Sequence, residues 1–244
     1  MRKAFVLIYL MLCGSAATAS ADEKPLKARA TASYQGTAGN TENHGAAADG
    51  KAEYTAGRWL IDGTGNYTLA VSAGEKKGES AGLSAGTKYF LTGGKRFYGR
   101  YKAEWQRNVF SGFEHRVFNF VGLGAYPVRS DRQELSVEAG PNYIHERYRE
   151  DNGKSEANFV AAHAGAFYRI SLNGAADIEA SAVWDMDLRN AADQLSTGKV
   201  SLHAGVANWL DVTATEKVDW DNVPPEGYRN VDVTTTVGLT IKNY

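Results

Sequence analysis

The chain of 244 residues holds one cysteine, Cys13. A single thiol closes no intrachain bridge, so a disulfide scaffold is excluded. The charge is nearly balanced, with 27 basic and 28 acidic residues, and that argues against nucleic acid as a partner. After residue 21 no apolar run is long enough for a membrane-spanning helix. Helical periodicity is missing as well. What remains is β structure, enough for one β domain or two smaller ones.

The start of the chain differs from the rest. Met1-Arg2-Lys3 precedes an apolar run from Ala4 to Leu12, and small residues lead to Ala19-Ser20-Ala21. A basic start, a short apolar core and an A-x-A site read as a secretory signal peptide. The expected division is a cleaved signal at 1–21 and a β domain at 22–244, exported through the signal. Leu12, where a lipoprotein signal needs a small residue, argues against a lipid anchor on Cys13. Loss of Arg2 and Lys3 with the signal takes the formal charge from −1 to −3.

Residues 96–106 set the pattern for the rest of the chain. Arg96, Tyr98, Arg100, Lys102, Glu104 and Gln106 alternate with Phe97, Gly99, Tyr101, Ala103 and Trp105. A period of two means a strand with unlike faces. Similar segments are expected at 27–38, 44–55, 58–72, 80–92, 95–108, 114–127, 132–148, 156–171, 174–187, 197–207, 210–220 and 228–242. Many exceed the usual globular strand of about 5–6 residues. Short turns such as Ala56-Gly57, Gly93-Gly94 and Asn173-Gly174 alternate with longer polar loops, as at 150–155 and 188–196. Asn173-Gly174 carries the residues of a type I′ hairpin. Short turns at one end and long loops at the other are the plan of an outer-membrane barrel.

Tryptophans fall near the segment ends. Trp59 and Trp209 lie towards the short turns, and Trp105, Trp184 and Trp220 towards the long loops. Two interfacial aromatic girdles need that placement. Glu216 interrupts the apolar face of 210–220, so the pattern puts it near a membrane interface.

Several short motifs resemble one family. They are Tyr34-Gln35-Gly36-Thr37-Ala38-Gly39-Asn40-Thr41-Glu42, Gly122-Leu123-Gly124-Ala125-Tyr126, Ala139-Gly140-Pro141-Asn142-Tyr143-Ile144-His145-Glu146, and Pro224-Pro225-Glu226-Gly227-Tyr228 before Asp232. In order and spacing they resemble the salt-induced outer-membrane proteins, domain of unknown function 481. The resemblance implies a Gram-negative outer-membrane barrel and no established activity. Tyr244 departs from the pattern: the lipid-facing set Val237, Leu239 and Ile241 continues to Asn243 instead. Outer-membrane lipid and, during biogenesis, the barrel-assembly machinery are the expected partners.

The expected fold is therefore all-β, a closed antiparallel up-and-down transmembrane barrel of about twelve strands in the outer membrane. Its lumen would hold Arg96, Arg100, Lys102 and Glu104 opposite Asp211, Lys217 and Asp219. Those charges either meet and block the bore, leaving a structural barrel, or stay hydrated in a narrow pore for small polar solutes. One alternative is a lipase-like barrel enzyme using Ser201 and His203, with Asp185 on the adjacent strand. Another is a soluble periplasmic barrel of lipocalin type, with an apolar interior. No catalytic, cofactor or metal set is expected: His44, Asp49 and Glu53 lack ligand spacing, and His145 and Glu146 point to opposite faces.

Overall fold

The computed structural model describes residues 25–38, 43–72, 75–108, 111, 113–148, 156–224 and 227–244. The expected signal at 1–21, and most of the loops at 39–42, 73–74 and 149–155, lie outside these residues. Twelve strands form: β1 (Leu26–Ala38), β2 (Asn43–Ala56), β3 (Trp59–Ser72), β4 (Glu75–Phe90), β5 (Phe97–Asn108), β6 (Phe113–Arg129), β7 (Gln133–Tyr148), β8 (Glu156–Asn173), β9 (Ala176–Asp187), β10 (Gln194–Ala207), β11 (Leu210–Asp221) and β12 (Val231–Lys242). Each pairs antiparallel with its sequence neighbours. β1 closes the ring on β12, with Arg29 opposite Lys242 and Ala38 opposite Val233. Closure leaves no strand edge unpaired.

Two ends differ from expectation. β4 starts at Glu75, inside the segment read as a loop, because its backbone continues to pair with β3 past a bulge at Ala70/Val71. The β8–β9 hairpin is not centred on Asn173-Gly174. Asn173 still pairs with Ala176, so the tip is Gly174-Ala175, and Gly174 does not take a positive φ. Among the described residues positive φ occurs instead at Gly57 (57°) in the β2–β3 turn, at Lys95 (51°) between β4 and β5 and at Gly227 (86°) between β11 and β12.

The two faces of the wall are inverted relative to a water-soluble protein. Leu123 is 66% exposed and Ile241 57%, whereas Arg100 is 8% and Asp185 5% exposed. The apolar set therefore faces out and the charged set faces in. That excludes the lipocalin-type alternative, which required the reverse. The outward aromatics form two rings. Trp59, Tyr54, Tyr89 and Phe97 lie near the short turns, with Trp209 in the β10–β11 turn. Tyr34, Tyr67, Trp105, Tyr143, Trp184 and Trp220 lie towards the long loops. Trp59 and Tyr67 share β3 eight residues apart. At about 3.4 Å per residue and a tilt of about 40°, the rings stand roughly 20 Å apart along the axis. An apolar belt of about 25 Å is what a spanning barrel needs.

Glu216 faces outward but not at the edge of the belt. It lies four residues inside Trp220, roughly 10 Å along the axis. The Thr235 hydroxyl donates to its Oε2 at 2.5 Å, which satisfies part of the carboxylate where lipid cannot.

Candidate functional site

The inward residues of all twelve strands build the site. Two apolar clusters fill parts of the bore. Phe90, Tyr98 and Tyr126, with Leu60, occupy the β3–β6 side near the short turns. Tyr98 fits because Gly124 has no side chain; a Cβ there would overlap its ring. Ile144, Phe159 and Ala161, with Phe118 and Leu195, occupy the β6–β10 side nearer the long loops.

Polar struts cross the bore elsewhere. Arg29 on β1 grips Glu179 on β9 with two hydrogen bonds, at 2.7 and 3.1 Å. His203 Nε2 stands 3.8 Å from the same carboxylate. Arg116 on β6 contacts Glu146 at 2.5 Å and Asp221 on β11 at 3.4 Å. Ser111 donates to Asp232 at 2.8 Å. Lys51 on β2 reaches the ring of Phe167 on β8, the strand directly across, at 5.7 Å.

Two chambers remain, of about 320 Å³ towards the long loops and about 600 Å³ towards the short turns. Lys102 and Val183 line both, so the chambers meet there. Their charges differ. The long-loop chamber carries five Lys and Arg against five Asp and Glu. The short-turn chamber carries ten against five. All five of those acids are already paired: Glu53 with Lys51, Asp62 and Glu138 with Arg100, Glu134 with Arg129, and Glu179 with Arg29. Among the described residues Lys27, Lys88, Lys95, Arg169 and Lys199 have no acid within ion-pair range. Lys88 rests on aromatic surface instead, bonded to the Tyr126 hydroxyl at 2.9 Å with its ammonium 4.5 Å from the Tyr98 ring centre.

Not every residue expected in the lumen stands there as expected. Arg100, Lys102 and Glu104 on β5 and Asp211, Lys217 and Asp219 on β11 face inward. Arg96 does not: it is exposed in the β4–β5 turn, one residue before β5 begins. Nor do the two sets neutralise each other across the bore. Arg100 pairs with Asp62 and Glu138, Lys102 with Glu104, Lys217 with Asp219, and Asp211 with Lys242. Each of these side chains meets a partner on its own strand or one or two strands away, whereas the pairs that do span the bore are others, Arg29 with Glu179 and Arg116 with Asp221.

The lipase-type set is not assembled. Ser201 and His203 face the lumen, bonded to Thr215 at 2.8 Å and Thr213 at 3.0 Å. Asp185 bonds to His163 at 2.9 Å and to Asn142 at 2.9 Å, not to His203. His44 faces out and stacks on Tyr34, while Asp49 and Glu53 face in, so those three do not converge.

Sequence reasoning centred on β5 and β11 missed the cations of β1, β2, β4, β8 and β10. The signal was available: Lys27, Arg29, Lys51, Lys88, Arg169 and Lys199 all share the parity of inward residues and lie in the short-turn half of their strands or near mid-strand. Pairing was not readable, since it depends on which inward side chains reach each other.

A family model described as "Protein of unknown function, DUF481" matches residues 30–242. The chain belongs to the DUF481 family. No curated protein matches the chain significantly. Among solved structures, the NanC porin superposes with a TM-score of 0.56 at 11% identity, covering 89% of this chain and 100% of the porin. The KdgM porin, solved in complex with disordered oligogalacturonate, gives 0.50 at 8% identity, covering 88% and 99%. At such identities the likeness is one of fold, and it is that of outer-membrane barrels. The DUF481 chain is thus a closed, twelve-stranded, antiparallel barrel of that type.

Proposed function

We propose that this DUF481 barrel spans the outer membrane and forms a narrow channel for small anionic solutes. The observation that carries the reading is the surplus of cations in the short-turn chamber, where every acid is paired and five cations are not. A cavity with low-dielectric walls and one sign of excess charge concentrates the opposite ion. The apolar belt and two aromatic rings support a lipid setting, with the short turns on the periplasmic side as in outer-membrane barrels generally. That setting makes lipid the standing partner and the assembly machinery a transient one. The KdgM porin was solved with oligogalacturonate, an acidic oligosaccharide, which agrees with an anionic cargo.

None of the five is buried: Lys27 and Lys199 are exposed and Lys88, Lys95 and Arg169 half-buried, so their charges stay accessible to a solute in the chamber, a use that a purely structural barrel would not have. An enzymatic role gains nothing from Ser201 or His203, whose hydroxyl and imidazole are engaged with threonines inside the lumen. The test is solute flux. Cell fractionation should place the protein in the outer membrane with heat-modifiable migration. Proteoliposomes should take up a small monocarboxylate faster than an organic cation of equal size. Release of the protein by osmotic shock, or faster cation uptake, would reject the proposal.

A further inference from the structure

Like charges crowd the junction between the chambers. Lys199 on β10 stands directly opposite Lys217 on β11, with Ser181 as its partner on β9. Like charges directly opposite each other in a sheet are destabilising. Lys217 is relieved by Asp219 at 2.7 Å, and Lys102, on the wall five strands round from β10, by Glu104 at 2.5 Å. Lys199 has no such relief. Asp49 and Glu179 act on it only from beyond ion-pair range. It lines the short-turn chamber, Lys217 lines the long-loop chamber and Lys102 lines both. The three residues therefore line the two cavities, with Lys102 shared where they meet and Lys199 and Lys217 opposite each other on β10 and β11.

We propose that Lys199, with Lys217 beside it and Lys102 across the bore, is an oxyanion-binding site at the waist of the lumen, taking a carboxylate or phosphate group. An ammonium is a compact point charge with three donors, suited to a tetrahedral or planar oxyanion without fixed orientation. A bound oxyanion supplies the counter-charge that the fold withholds from Lys199. The site rests on the channel reading for its purpose, and it sets which anions pass.

Inorganic phosphate is the probe, and the thermal midpoint of the refolded barrel is the readout. At constant ionic strength, phosphate should raise the midpoint of the wild type saturably. Lys199→Gln should need about tenfold more phosphate, or lose the effect, because a charge-assisted contact is removed. Lys199→Arg, which keeps the charge, should retain it. Arg96→Gln, in the exposed β4–β5 turn outside both chambers, changes the net charge equally and should behave as wild type. An equal phosphate response in Lys199→Gln, or an equal loss in Arg96→Gln, would overturn the site. Because this readout needs no conduction, a silent bilayer with an intact, Lys199-dependent phosphate shift would reject the channel and uphold the site.

Discussion

Arg100 offers the sharpest test of how the lumen is held together. Its guanidinium pairs bidentately with Asp62 and lies 4.0 Å from Glu138; the side chains of Arg100 and Asp62 are 7% and 13% exposed. It fits over Gly86, where an added Cβ would stand 2.9 Å from both terminal nitrogens. Arg100→Met keeps the length and removes the charge. Two carboxylates then share a near-buried site without a counter-ion. Breaking a buried pair costs about 3–5 kcal/mol. Lys88 and Lys51 also act on Asp62, so the lower end is expected, about 3 kcal/mol or roughly a hundredfold in the folding equilibrium. Urea unfolding from lipid vesicles, followed by tryptophan emission, measures this. Adding Asp62→Asn should recover most of the loss, since the stranded charge disappears. Arg100→Lys should recover only part, because an ammonium cannot make the bidentate grip. A loss below about 1 kcal/mol for Arg100→Met, or no recovery in the double variant, would refute the reasoning.

The same geometry fixes other outcomes. Val121→Arg, on the lipid-facing belt beside Tyr101, should destabilise the barrel by about 2–4 kcal/mol in a bilayer, whereas Glu216→Leu should stabilise it. A neutral result for Val121→Arg would mean that this face does not meet lipid. Brominated lipids carrying the label near the headgroups should quench Trp59, Trp105, Trp184, Trp209 and Trp220 more than lipids labelled at the chain ends; the opposite depth order would contradict the two rings. Vesicle phospholipid should be hydrolysed no faster by wild type than by Ser201→Ala. A wild-type rate abolished by that change would restore the enzymatic alternative.

Much of the fold is written in period two. Residues 96–106 display both faces so cleanly that β5 needs no tertiary knowledge, and the tryptophans mark the ends of the apolar belt. The register of charges is less legible. Arg100 and Asp211 both carry inward parity, but whether they meet depends on bore width and side-chain reach, and each found a nearer partner. Arg96 falls outside β5 because a strand end is set by the positive φ at Lys95, which residue type does not announce. Glu75 joins β4 because a bulge lets pairing run on, again a property of the neighbour. Asymmetry between the two halves of the lumen emerges only when inward cations from nonadjacent strands are counted together with the acids that already hold them.

The reversal potential of single channels in a planar bilayer under a KCl gradient tests the central claim most directly. The predicted result is a small, anion-selective conductance, with the selectivity reduced when Arg100 and Lys102 are both made neutral. Cation selectivity, or silence at all voltages and salt concentrations, would contradict it.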